Sequence, residues 1–244
     1  MIDVAVFGAA GRMGQRVVQA VGAASDMRLV AGIDAGEDRS AALAAAVMVD
    51  FTCPDAVMGN VEWALTHGMH VVVGTTGMTP ERLDAVRGLL ASDGRLGAVV
   101  ASNFSIAAVL MMRFAAAAAP YFESVEIVEL HHPRKADAPS GTAITTAGAI
   151  AEARRRAGCA PMPDVTRTGL DGARGAVVDG VHVHSVRSQG LFAHQEVILG
   201  NPGEQLTIRD DSFDPSSYIP GVLAAIRHVV AHPGLTLGMD ALLG

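Results

Sequence analysis

The chain has 244 residues, half of them hydrophobic and 18% charged, with a formal net charge of −7. That composition excludes a disordered chain, and the length suffices for one large α/β domain or two modest ones, each with its own core. The acidic balance argues against a nucleic-acid or anionic-membrane partner, because phosphate surfaces require a basic face.

The start, Met1-Ile2-Asp3-Val4, reads as a strand rather than an export signal, having no basic residues ahead of its apolar stretch. Short apolar runs then alternate with amphipathic stretches over the first hundred residues, the βαβ grammar of a parallel sheet. Strands are predicted near residues 2–7, 28–33, 47–51, 70–74 and 97–101, and helices near 12–24, 54–67 and 79–92. The longest apolar run, 106–120, is interrupted by Arg113 and falls short of the about 20 residues a membrane span needs, so a soluble protein is expected. It reads as a helix ending at Pro120, with Met111 and Met112 expected between domains.

An alternating strand follows at 124–130, then a helix at 140–157 and a Gly- and Pro-containing stretch from Gly158 to Gly180, long enough for a lid or an intersubunit arm. Arg154, Arg155 and Arg156 at the helix end are expected to complement its dipole. Three more strands are predicted at 181–189, 194–200 and 204–211, and a helical tail from 214. The expected fold class is α/β: a Rossmann-like parallel-sheet domain formed by 1–104 and 214–244, plus a smaller α+β domain at 105–213 with a mixed, largely open sheet. Cys53, expected to be buried, and Cys159 fit reduced thiols in a cytoplasmic protein.

Directly after the first strand comes Gly8-Ala9-Ala10-Gly11-Arg12-Met13-Gly14, running into a helical stretch. Glycines there allow a sharp turn and close approach to a pyrophosphate, whose charge the amides at the helix start would stabilise. Asp34 closes the second strand, where a carboxylate meets an adenosine ribose, favouring NAD; Arg12 and Arg39 would offset the repulsion of a 2′-phosphate and admit NADP. Two later strand ends, Gly74-Thr75-Thr76-Gly77 and Ala101-Ser102-Asn103-Phe104, are expected towards the nicotinamide end.

The chemical centre is predicted at Glu129-Leu130-His131-His132-Pro133-Arg134-Lys135-Ala136-Asp137-Ala138-Pro139-Ser140-Gly141-Thr142-Ala143, leaving a strand and entering a helix. Lys135 is the single lysine among eighteen basic residues. Ser140 can cap the helix, and the amides of Gly141 and Thr142 are expected to offer an anion site. Two imidazoles and one ammonium beside them describe a receptor for a small carboxylate with a proton donor active near neutral pH.

Those residues resemble the 4-hydroxy-tetrahydrodipicolinate reductase family of lysine and diaminopimelate biosynthesis over nearly the whole chain. The likeness rests on Val6 to Gly14, Val49-Asp50-Phe51-Thr52, Val73 to Gly77, Asn103-Phe104-Ser105, the Glu129 to Ala143 segment, His182 to Arg187, and His194-Gln195-Glu196-Val197. It implies a nicotinamide domain, a second domain for substrate binding and homotetramer formation, and NADH- or NADPH-dependent reduction of a cyclic imine dicarboxylate. By the same resemblance His131 is the general acid and Lys135 its partner. His132, Ser140, Gly141 and Thr142 bind substrate. Gly8, Ala9, Ala10, Gly11, Arg12, Met13, Asp34, Gly74, Thr75, Thr76, Ala101, Ser102, Asn103 and Phe104 contact the cofactor. The segment between Asp34 and Val47 is shorter than in many members, and Ser102 stands where proline or alanine is common.

Two rival readings differ in class. A metal hydrolase could draw on His131, His132, His182 and His184, but no acidic ligand has a familiar spacing, and strand alternation puts His182 and His184 on one face anyway. A cofactor-sensing regulator without catalysis would need a binding module, and neither a basic helix nor an extra domain is legible.

Overall fold

The apolar runs of the first hundred residues become parallel strands because they have no polar face to turn towards water. In the computed structural model, which describes residues 1–243, these are β1 (Ile2–Phe7), β2 (Met27–Ile33), β3 (Val47–Asp50), β4 (His70–Val73) and β5 (Gly97–Val100). Both β3 and β5 are buried at every position. A strand from the tail, β11 (Gly234–Leu237), joins them in a six-stranded sheet of order β11-β5-β4-β3-β1-β2, with every pairing parallel. The strand order reverses at β1, so the loops after β1 and β3 lead apart and open a crevice at their carboxyl ends.

Helices α1 (Arg12–Ala23), α2 (Val57–Thr66), α3 (Pro80–Ser92) and α6 (Ile219–Ala231) accompany this sheet, α1 through Gly14, Val17 and Val21, and α6 through Val222, Ala225, Ile226 and Val229. The expected start of α2 at residue 54 moves to Val57, because Cys53 to Ala56 form a turn closed by Ala56 N–H donating to the Cys53 carbonyl at 3.1 Å. Chain contacts group residues 1–106 with the tail from Pro215 in one unit, and Ala107–Asp214 in the other.

The second unit is built on α4 (Ile106–Ala118), β6 (Ser124–His131), α5 (Gly141–Arg156), β7 (Ala176–Val178), β8 (Val181–Arg187), β9 (Ala193–Asn201) and β10 (Glu204–Ser212). Its five strands lie in the order β10-β9-β6-β8-β7, with β6 and β8 parallel and the other pairs antiparallel. Alternation along β6 buries Val125, Ile127 and Glu129 and leaves the intervening residues half-exposed. Helices α4 and α5 cover the inner face: Met111, Ala115, Ala143, Ala147 and Ile150 form one apolar cluster with Ile127, Val183, Val197 and Leu199. Met111 is thus core of this unit, contrary to its expected place between domains.

Arg154 also departs from expectation. It is buried, and its guanidinium donates to the carbonyls of Ala119, Phe122, Glu123 and Ala160, while Arg155 and Arg156 pair with Glu152 at the surface. A planar fork of donors satisfies several backbone acceptors that no apolar residue could serve. No helix among the described residues is long and apolar enough to cross a membrane.

Candidate active site

The loop after β1 is shaped by glycine. Gly8 has φ of +80°, and a Cβ on Gly14 would lie 1.9 Å from the Gly8 carbonyl oxygen, so the first turn of α1 rests directly on the loop. The N-cap of α1 is Gly11, which makes no side-chain cap, whereas Thr79 caps α3 and Ser140 caps α5. The leading amides of α1 are thereby left to an external anion, which fits a pyrophosphate.

Around that loop lies a cleft of about 500 Å³ lined by residues that include Gly8, Gly11, Asp34, Glu37, Arg39, Phe51, Thr52 and Cys53. The Asp34 carboxylate accepts from Ala10 N–H at 2.9 Å, tying the end of β2 to the phosphate loop, and the Asp34 amide donates to Glu37 Oε2 at 2.7 Å. Two carboxylates therefore stand at the end of β2, where an adenosine ribose would bind. Cys53, expected to be buried, is exposed, because the chain turns outward after β3.

The sequence marks Asp50 only as part of Val49-Asp50-Phe51-Thr52 and gives it no role, yet it organises the other strand ends. Asp50 is fully buried at the end of β3 and accepts four hydrogen bonds: from Thr52 N–H at 3.0 Å, the Thr52 hydroxyl at 2.8 Å, Asn60 Nδ2 at 2.7 Å and the Thr75 hydroxyl at 2.5 Å. The Thr75 side chain is thus committed inward, while Thr76 is exposed. Phe104 is buried against Phe51, with ring centroids 5.9 Å apart, and Ala101 donates to the Val73 carbonyl at 3.1 Å. Ser102 is exposed, and Asn103 accepts from Ser105 N–H at 2.8 Å through its side chain. The sequence signal for Asp50 was its place as the one acid closing a run of buried aliphatic residues.

In the second unit, the segment from Glu129 to Ala143 leaves β6 and enters α5 as expected. Glu129 and His131 alternate onto the same side of β6, and His131 Nδ1 lies 2.5 Å from Glu129 Oε2. The parallel pairing with β8 sets Arg187 opposite His131, and the guanidinium grips both oxygens of Glu129, at 2.8 and 2.7 Å. Burial by itself would raise the Glu129 carboxyl; hydrogen bonds from His131, Arg187 and Ser185, with the charge of Arg187, outweigh it and hold the group at about 2. The next imidazole, His132, has a buried Nδ1 with no hydrogen-bond partner among the described residues.

Lys135 Nζ is 2.7 Å from Asp137 Oδ1. The Asp137 carboxyl is lowered chiefly by its hydrogen bond from Lys135 and also by one from the Gly141 amide. The ammonium expected to meet a ligand's carboxylate is thus paired with the chain's own Asp137. Ser140 is buried; its hydroxyl accepts from Ala143 N–H at 3.2 Å, and its amide donates to Glu129 Oε1 at 3.2 Å.

The histidine pair outside this loop is structurally engaged. His184 Nε2 lies 2.7 Å from Glu126 Oε2, and His182 Nδ1 lies 2.7 Å from the Arg174 carbonyl oxygen.

A cleft with an uncapped glycine turn, and a loop carrying two histidines and one lysine, match known proteins over the whole length. The family model described as "Dihydrodipicolinate reductase, N-terminus" matches residues 2–104, and "Dihydrodipicolinate reductase, C-terminus" matches 107–243. The 4-hydroxy-tetrahydrodipicolinate reductase of Cutibacterium acnes is 60% identical over 100% of this chain and 99% of its own. That of Beutenbergia cavernae is 58% identical over 99% and 98%. A dipicolinate-bound dihydrodipicolinate reductase from Paenisporosarcina sp. TG-14 superimposes with a TM-score of 0.88 at 38% identity, covering 99% of each chain. An engineered D-amino acid dehydrogenase bound to NADP+, at 14% identity and a TM-score of 0.57, shares the fold alone. This chain belongs to the dihydrodipicolinate reductase family.

Proposed function

We propose that this protein reduces 4-hydroxy-tetrahydrodipicolinate, by way of dihydrodipicolinate, to tetrahydrodipicolinate, a step of diaminopimelate and lysine synthesis. The first unit holds NADH or NADPH through Gly8 to Met13, with Asp34 at the adenosine end and the strand-end loops at Gly74–Thr76 and Ala101–Phe104 towards the nicotinamide. The second unit holds the dicarboxylate. When bound, the dihydronicotinamide supplies a hydride to the conjugated C=C–C=N system of the substrate.

The chain's own residues do the rest. His131, as imidazolium, donates the proton that the electron-rich carbon takes up after hydride addition; such general acid catalysis contributes about 10²–10⁴-fold. Lys135 and the amides of Gly141 and Thr142 receive a substrate carboxylate in place of Asp137, and His132 Nδ1 offers a further polar contact. Fixing both ends of a small ring compound turns orientation into rate. The observation that carries this reading is the ammonium–carboxylate contact of Lys135 with Asp137 in the loop from β6 to α5, which shows that this ammonium can hold a carboxylate three residues after His132.

The same reading places the protein in the cytoplasm, where NAD(P)H and free thiols belong. It also makes the protein a homotetramer, associated through the outer face of the second sheet, whose β7 and β8 expose Val177 and Val186. Size-exclusion chromatography with light scattering tests the tetramer, and a monomer would overturn it. Activity is tested by NADH and NADPH oxidation with enzymatically generated hydroxytetrahydrodipicolinate. Turnover that falls about 10²–10⁴-fold in His131→Ala is expected; oxidation of neither cofactor by the wild-type protein would overturn the proposal.

A further inference from the structure

Glu129 has no solvent exposure and is surrounded by donors. Its Oε1 accepts from Arg187 Nη2 and the Ser140 amide; its Oε2 accepts from Arg187 Nη1 and meets His131 Nδ1. A guanidinium stays charged at any working pH, and a carboxylate paired with it in two-point fashion is ionised and can only accept. The lowered Glu129 carboxyl agrees with that state. An acceptor 2.5 Å from Nδ1 requires a hydrogen on Nδ1 whether the imidazole is neutral or charged. The neutral ring is then left with its lone pair on Nε2, and the charged ring has one further N–H, also at Nε2.

We propose that Glu129 is a positioning residue for proton transfer, because by accepting from His131 Nδ1 it commits the exchangeable proton of that ring to Nε2. The proposal rests on His131 being the proton donor of the reduction. In the step, the Nε2–H bond breaks, the electron pair stays on Nε2, and the proton goes to the substrate carbon; the Nδ1–H bond is untouched. The ring recovers its proton from solvent, which its 14% exposed side chain reaches. Arg187 acts behind Glu129: it keeps the carboxylate charged, and its Nη2 also donates to the Asp137 carbonyl at 2.7 Å, joining this network to the Lys135 loop.

The test reads the tautomer directly. In the full-length protein labelled with ¹⁵N-histidine and held at alkaline pH, the His131 resonances, identified by their loss in His131→Gln, should show a proton-bearing Nδ1 and a proton-free Nε2. In Glu129→Gln the oxygen stays with Arg187 and Ser140, and the amide nitrogen donates to Nδ1, so the tautomer should reverse. Its kcat should fall about 10²-fold, within the range of general acid catalysis, while KM changes by less than about threefold. A proton-free Nδ1 in the wild-type spectrum, or unchanged kcat in Glu129→Gln, would overturn the proposal. Should Glu129→Gln not fold, the wild-type spectrum alone decides. Full turnover in His131→Ala would instead overturn the role of His131, so the two failures are distinguishable.

Discussion

The Asp50 carboxylate accepts the hydroxyl proton of Thr75 across 2.5 Å, although the two residues are 25 positions apart. The contact ties the ends of β3 and β4, and through Thr52 and Asn60 it also fixes the turn into α2. Asp50→Ala would leave buried donors without partners, at a cost of about 3 kcal/mol. A fall in thermal midpoint of roughly 6–12 °C is expected by differential scanning calorimetry. A fall of less than about 2 °C would show that water replaces the carboxylate at little cost.

Two glycines of α1 should respond in opposite ways to the same substitution. Gly14→Ala drives a methyl into the Gly8 carbonyl and must displace the phosphate loop, so cofactor affinity in a fluorescence titration should fall at least about tenfold. Gly22 has open space around its Cβ position, and Gly22→Ala should stabilise the helix by about 0.5–1 kcal/mol without altering affinity. Equal effects at both positions would refute the close approach at Gly14.

Acid stability should carry the signature of Glu129. Its folded value of about 2 lies below the ordinary 4.5, so its contribution is complete above about pH 4.5 and is lost as the pH falls towards 2. That difference corresponds to roughly 3 kcal/mol. In urea titrations, wild type should exceed Glu129→Gln in stability by a constant margin from pH 7 to 5, and the margin should shrink below pH 4.5. A margin that stays flat down to pH 3 would contradict the assignment.

Lys135 and Asp137 make a paired prediction. Lys135→Arg should lower turnover about tenfold or more despite its conserved charge, because a planar fork does not replace a point charge held against one carboxylate. Asp137→Asn removes the internal competitor for the ammonium. As a partly exposed pair is worth up to about 1 kcal/mol, KM for the dicarboxylate should fall about two- to fivefold in steady-state assays. A raised KM would mean that Asp137 orients Lys135 rather than competing with the substrate.

Contiguity in sequence decided what could be read before folding. The glycine turn, Asp34 and the His131 to Ala143 loop each lie within one strand-to-helix passage, and local pattern suffices to find them. Glu129 and Arg187 are 58 positions apart, and nothing in either neighbourhood announces that a parallel register will join them. Three successive arginines at a helix end are expected to complement its dipole, and nothing local distinguishes Arg154, yet the fold brings the carbonyls of Ala119, Phe122 and Glu123 onto its guanidinium. The short strands β7 and β11 are not predicted, since neither is a run of buried aliphatic residues like the equally short β3 and β5: β7 is largely exposed and β11 half-exposed. For β11 the crossover logic held the clue: a helix returning to a parallel sheet is commonly followed by another strand.

The parallel pairing of β6 with β8 has a practical corollary. Same-direction neighbours demand a long return path, and here, after α5, it passes through a stretch in which Val165 and Leu170 are exposed, pinned nearby by Arg174 to Glu126 and Asp164. Doubling a flexible loop costs only about 0.6 kcal/mol. An epitope tag or fluorophore-bearing peptide spliced in around residue 168 would leave the strand register alone, giving a labelled enzyme in which His131 keeps its arginine-backed carboxylate.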